Sequence, residues 1–331
     1  MKRPAGAVAS FLLLFLLTGC TSATPVAQTS SPTAAPQATS SPTPASSPTP
    51  RPSPSATAAH PASGLPNFKH IFVILMENEE ASSVIGNSDA PYINSLARSY
   101  ASAANYYGIT HPSLPNYLEL LGGSTFGIDS DCTDCFVNAS NLVDQLQSAH
   151  KSWKAYMEGL PSPCYVGDAG DYAQKHDPFI YFNDIRNNSS RCANIVPLSG
   201  FASAAQANTL PDFVWITPNL CHDMHDCGVS TGDSWLKGFL PQILNSPAWQ
   251  SSALFLLWDE GDSDSGCCQV ASGGHIPMLV LSPLVKAGFV SHVNYDHASM
   301  LLTIEDAWGL GKLRDAACSC TNPLTAFFSG A

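Results

Sequence analysis

The sequence predicts an α/β fold, a three-layer sandwich around a mostly parallel central sheet. Three observations carry that expectation. Continuous apolar runs of strand length recur at 70–76, 212–216 and 254–258. Unbroken runs, unlike alternating ones, suit strands buried on both faces of a parallel sheet. Each run ends in residues able to bind a ligand: Glu77-Asn78, the cluster His222-Asp223-Met224-His225-Asp226, and Asp259-Glu260. Helical patterns follow the strands, and ligands of open α/β sheets bind at the carboxyl ends of their strands.

The elements follow in chain order. After the strand 70–76, residues 90–104 carry a helical pattern through Pro91, Ile93, Leu96 and Ala97. A short stretch, Ile109 to Tyr117, then sets Ser113 between Pro112 and Pro115, ahead of an apolar run 118–121 that reads as the start of a helix. Residues 141–150 form an amphipathic helix on Leu142, Leu146 and His150. Residues 153–157 read as a strand ending at Glu158, and His176 falls in a loop rich in Asp and aromatic residues. Residues 274–281 bring His275 to the start of a strand. Tyr295-Asp296-His297 caps a helix over 298–308, where His297 reads equally as functional or structural.

The chain outside this pattern has a different character. Residues 1–20 read as an export signal: Lys2 and Arg3 precede an apolar core from Phe11 to Leu17, too short to span a bilayer permanently. Its end, Leu17-Thr18-Gly19-Cys20, resembles a bacterial lipobox. That resemblance implies a signal peptide of the lipoprotein kind, with lipidated Cys20 anchoring the chain to a membrane at the cell surface; an ordinary secretory signal is the alternative. Residues 21–64, almost wholly Ser, Thr, Pro and Ala, are expected to be a disordered tether. At about 3 Å per residue it would reach roughly 100 Å. The remainder, 65–331, is one sizeable domain.

That domain holds 11 basic against 26 acidic residues, a net charge of −15. So acidic a surface argues against non-specific nucleic-acid binding. Ten cysteines besides Cys20 make disulfides the expectation for an exported chain. Cys132/Cys135, Cys221/Cys227 and Cys318/Cys320 are near enough in sequence to bridge locally. Cys267 and Cys268 are expected to pair outward rather than with each other. Zinc at Cys132-x-x-Cys135 is the weaker reading, because no second pair has the spacing of a zinc site.

The chemistry gathers at the strand ends and at Ser113. Carboxylates and an amide oxygen suit a hard or borderline divalent cation. A serine beside such a cation is acidified into a usable nucleophile, and a helix start next to it would offer N–H groups to an anion. By itself Ser113 also reads as an ordinary helix cap beside a proline turn.

Taken in order, these residues resemble a known family. The markers are His70 through Glu77-Asn78, Pro112-Ser113-Leu114-Pro115-Asn116, Trp258-Asp259-Glu260, His275-Ile276-Pro277 with Ser282-Pro283, and Ser291-His292 through Tyr295-Asp296-His297 to Ile304-Glu305. The domain is similar, from about Phe68 to Leu313, to the bacterial phosphoesterases of acid phosphatase and phospholipase C type within the alkaline phosphatase superfamily. The resemblance implies an alkaline phosphatase-like sandwich that hydrolyses phosphate esters with a divalent metal ion. It implies Glu77, Asn78, Asp259, Glu260 and Ser113 as metal ligands, Ser113 as nucleophile and Asn116 as a donor to phosphate oxygen. No histidine follows Asp259-Glu260, and His275 stands where the longer phospholipase branch tends to have Arg, so the acid-phosphatase branch is favoured. His225, His222 and His176 are the candidates for protonating the leaving group, and a titrating acid predicts a bell-shaped pH profile. The alternatives are a phospholipase C-type phosphodiesterase and a non-catalytic surface binding protein on the same fold.

Overall fold

The computed structural model describes residues 64–328. The expected signal, Cys20 and the tether lie outside the described residues. Eight strands build one sheet: β1 (His70–Met76), β2 (Ala101–Tyr107), β3 (Trp153–Met157), β4 (Ile195–Pro197), β5 (Phe213–Thr217), β6 (Ser252–Trp258), β7 (Met278–Leu281) and β8 (Phe289–Asp296). Their order is β4-β3-β5-β1-β6-β7-β2-β8. All pairings are parallel except the two made by β7. The mostly parallel α/β architecture predicted from the apolar runs is therefore the observed one.

β5 and β6 are buried along their whole lengths and β1 along all but its first residue, so both faces of the sheet are covered. Helices Ser113–Gly122 and His297–Ala307 pack on one another, and Pro91–Ser99 packs on Val229–Phe239. β1 lies at the centre, in register with β6 from His70↔Ser252 to Met76↔Trp258 and with β5 through Ile71↔Phe213. Burial of such aliphatic strand residues stabilises by about 1.5–3 kcal/mol each.

The structure corrects three readings. The helix expected over 90–104 stops at Ser99, and the chain continues as β2. Tyr100 leaves helical geometry, and β2 finds partners in β7 and β8 far along the sequence. The helix expected to start at Leu118 starts at Ser113. Cys267 and Cys268 are joined to each other rather than outward. Every other cysteine among the described residues is already engaged, in Cys132–Cys135, Cys164–Cys192, Cys221–Cys227 and Cys318–Cys320. The bridge at Cys132–Cys135 also removes the zinc reading there. No helix among the described residues is long and apolar enough to cross a membrane.

Candidate active site

Seven strands run one way, so their carboxyl ends share an edge, and the polar residues meet there. Glu77 follows β1 directly and is fully buried; its backbone N–H donates to Asp223 O at 2.8 Å. The loop after β2 delivers Ser113. That loop runs close against residues 272–274: Gly273 N donates to Gly108 O at 2.9 Å, and Gly108 N to Gly274 O at 3.1 Å. A Cβ on Gly108 would stand 2.5 Å from Gly273 O, so only glycine permits this approach. Asn116 fixes the turn. Its Oδ1 accepts from Ile109 N (2.8 Å) and Thr110 N (3.2 Å), and its Nδ2 donates to Thr110 O (2.8 Å) and Pro112 O (3.2 Å).

Ser113 Oγ donates to Glu77 Oε2 at 3.0 Å and lies 3.3 Å from Glu260 Oε1. Tyr117, one turn along the same helix, donates to Glu77 Oε1 in a close contact. His176 stacks on Tyr117 with ring centroids 5.3 Å apart. Its two nitrogens face Glu77 Oε2 and Asp223 Oδ2, each at 3.2 Å. Asp259 Oδ1 accepts the Asn78 backbone N–H at 3.1 Å, whereas Asp259 Oδ2 is buried without a hydrogen-bond partner among the described residues. His297 Nε2 donates to the Asp259 backbone carbonyl at 2.6 Å; burial holds its imidazole down at about 4, so it braces the strand end as a neutral group. His111 Nδ1 is in close contact with Glu260 Oε2, and its Nε2 faces Ser263 O at 3.2 Å.

Burial of so many acids has an electrostatic cost. Burial, then the charges of Glu77 and Glu260, push Asp259 well above the usual carboxylate range. Burial raises Glu260 to about 7 against the opposing pull of His111, and Asp223 to about 6. For Glu77 burial also pushes upward, but the neighbouring His176 outweighs it and holds the acid below its ordinary value. His176 in turn rises to about 9, because Glu77 and Asp223 outweigh its own burial. On the other flank Lys175 Nζ reaches Asp131 Oδ2 at 2.8 Å and His225 Nε2 at 3.1 Å.

The donor set fits a divalent cation. Asp259, Glu260 and Glu77 gather at one strand edge with an orphaned Asp259 oxygen. Ligand atoms of Glu77, His176 and Asp223 all lie within 4.8 Å of one another. Buried carboxylates left in this state are stabilised by a bound positive charge.

The structure thus brings together Glu77, Asn78, Ser113, Asp259, Glu260 and His176. It differs from expectation at Asn116, whose two amide N–H groups are both spent on the loop and do not point free as phosphate donors. It differs too at the helix start, where Asp131 Oδ1 accepts the Leu114 N–H at 3.0 Å. His222 is tied elsewhere: Nδ1 lies 2.9 Å from Glu158 Oε2 and the ring stacks on Trp235. Its partners Glu158 and Trp235 line, with Phe239, a groove of about 670 Å³ that contains none of the acids around Ser113. His225 sits 5.5 Å from His176, ring to ring, and 2.7 Å from Asp226 Oδ1. Sequence reasoning missed His111, Tyr117 and Lys175. Of these His111 and Tyr117 lay inside the stretch around the serine, where their spacings of two and four residues from Ser113 were the available signal; Lys175 lay outside it, beside His176.

A mostly parallel sheet that presents a serine among buried acids at its strand ends is an architecture suited to a hydrolytic enzyme. The chain belongs to the phosphoesterase family, whose family model matches residues 82–311. It is a phosphoric ester hydrolase. A phosphatidylinositol-3-phosphatase of Mycobacterium tuberculosis is 35% identical over 255 residues, covering 76% of this chain and 80% of that protein. A probable acid phosphatase of Kluyveromyces lactis is 32% identical over 259 residues, covering 74% of this chain but only 59% of the yeast protein. Among solved structures, the phosphonate monoester hydrolase of Agrobacterium radiobacter shares the fold with a TM-score of 0.55 at 12% identity, over 80% of this chain and 77% of that one.

Proposed function

We propose that the chain is a metal-dependent phosphomonoesterase of acid-phosphatase type with Ser113 as its nucleophile. The observation that supports this most is the seat of Ser113 Oγ, 3.0 Å from Glu77 and 3.3 Å from Glu260 at the carboxyl ends of β1 and β6. Glu77, Asn78, Asp259, Glu260 and Ser113 would hold the ion, with His176 and Asp223 bordering it. When bound, the ion lowers the pKa of the serine and draws charge from a phosphoryl oxygen.

Ser113 Oγ attacks phosphorus in line, its proton leaving toward the carboxylates it already touches. A bond forms between Oγ and phosphorus as the bond from phosphorus to the alcohol oxygen breaks. His111, half exposed and paired with Glu260, gives the departing alcohol its proton. Water then attacks the phosphoserine, the Oγ–phosphorus bond breaks, and Ser113 is protonated again. Lys175 and His225 flank the site as partners for the phosphate oxygens. Asn116 acts by positioning the loop that carries Ser113.

Hydrolysis of p-nitrophenyl phosphate before and after EDTA, with bis-p-nitrophenyl phosphate in parallel, tests this reading. Monoester turnover lost to EDTA and restored by a divalent ion is expected. Preference for the diester would favour the phospholipase C-type reading, and absence of any turnover would favour a binding protein. The likeness to a phosphatidylinositol-3-phosphatase makes a 3-phosphoinositide the first lipid phosphate to try.

The same proposal extends to location. We read residues 1–20 as a lipoprotein signal, 21–64 as a tether and 65–331 as the phosphoesterase domain, held at a membrane surface outside the cytoplasm through Cys20. Five disulfides support an oxidising compartment. Mass spectrometry of the membrane fraction would find diacylated Cys20, and a Cys20→Ala chain released to the medium uncleaved at that point would agree with it. An unmodified N-terminus at another residue would refute the anchor.

A further inference from the structure

Glu119 lies on the same helix as Ser113 but takes no part in the group described above. It is fully buried, at 0% exposure, and neither carboxylate oxygen has a hydrogen-bond partner among the described residues. An unpaired, fully enclosed carboxylate is a costly arrangement. Its electrostatic surroundings make the cost larger. Asp315, on the turn that follows helix His297–Ala307, and Asp296, at the start of that helix, both oppose a negative charge on Glu119. Arg314 is the cation that acts on it, yet its guanidinium is committed to Gly122 O (2.6 Å), Ser140 O (2.9 Å) and Ser140 Oγ (3.3 Å).

Glu119 also forms part of the wall of a cavity of about 350 Å³. The other oxygen-bearing side chains around it are Thr110, Ser124, Thr125, Asp129, Ser272 and Asp315. Every one of these donors is an oxygen, with neither histidine nor cysteine among them. Hard cations with flexible coordination choose such sets, and calcium above all. The chain here is also held close: Asp315 N donates to Gly123 O at 3.0 Å, and a Cβ on Gly123 would stand 2.8 Å from Leu313 O. The turn bearing Asp315 is thereby fixed against the end of the Glu119 helix.

We propose that Glu119 and Asp315, with hydroxyl oxygens of the same cavity, bind a hard divalent cation of the calcium type, separate from the ion at Ser113. The ion would tie the end of the Ser113 helix to the turn after helix His297–Ala307. It would not touch the substrate.

Equilibrium dialysis against radioactive Ca²⁺ at pH 8 tests this on the full chain, alongside Glu119→Gln, Asp315→Asn and Asp259→Asn. The first two variants are expected to hold one Ca²⁺ fewer per chain than the parent while still turning over a phosphomonoester. Asp259→Asn is expected to keep the ion that they lose. If Glu119→Gln does not fold, the count for Asp315→Asn decides, since that side chain is only partly buried. Equal stoichiometry in the parent and the folded variants would overturn the proposal, and Glu119 would then be a carboxyl group that stays protonated. Because the readout is the change in ion count, it stands whether or not Ser113 proves to be the nucleophile.

Discussion

His111 and Glu260 stand 149 residues apart in sequence, yet they meet beside Ser113. Nothing local in the chain announces such a pairing, and for that reason His111 was not among the expected proton donors. A proton donor to the leaving group matters most when that group is a poor one. His111→Ala is therefore expected to slow phenyl phosphate hydrolysis by about 100-fold or more while slowing p-nitrophenyl phosphate far less. Equal losses on both substrates would remove His111 from that role. The acids were easier to read than their partners. Glu77, Asp259 and Glu260 follow apolar runs that the sequence displays openly, whereas Tyr117 and Lys175 gain their meaning only through Glu77 and His225. Tyr117→Phe keeps the ring stacked on His176 but leaves a Glu77 oxygen without its donor. Loss of a buried partner of this kind costs about 1–3 kcal/mol, measurable as a lowered denaturant midpoint.

At the scale of elements, β1, β5 and β6 were legible because they are uninterrupted apolar segments, and buried parallel strands need no alternation. β2 was not. Its sequence, Ala-Ser-Ala-Ala-Asn-Tyr-Tyr, has the small residues of a helix, and its strand character comes from its pairing with β7 and β8. β4 and β8 were likewise silent, β4 because it is three residues long and β8 because most of its length is polar or half exposed. The central strands β1, β5 and β6 are the deeply buried part of the sheet. Leu256 on β6 is fully buried and in register with Ile74 on one side and Leu279 on the other. Leu256→Ala is expected to cost about 2–5 kcal/mol. A denaturant melt showing less than 1 kcal/mol, an outcome expected for surface positions, would contradict the central place given to β6.

For the whole molecule, the buried acids outside the active site set a direction for stability against pH. Burial raises Glu119 well above the ordinary carboxylate range and Glu305 from 4.5 to about 7. Both hold protons in the folded state that the unfolded chain releases at lower pH. Both contributions are therefore complete below pH 4.5; that of Glu305 is lost as the pH rises to about 7, and that of Glu119 as the pH rises through its own raised range. In EDTA, the thermal unfolding midpoint is expected to fall across that window. A midpoint that climbs steadily from pH 4.5 to 7 would show that other groups dominate. Added calcium should recover stability most at the alkaline end, where Glu119 would otherwise carry an uncompensated charge.

In the proposed reaction Ser113 takes the phosphoryl group from the substrate. The most direct measurement is mass spectrometry of the metal-loaded enzyme, quenched in acid during turnover of a phosphomonoester. One added phosphoryl group is expected on the peptide that contains Ser113, absent from Ser113→Ala, which also loses at least about 1,000-fold in kcat. An unmodified Ser113 peptide under conditions of full turnover, with Ser113→Ala still active, would contradict it.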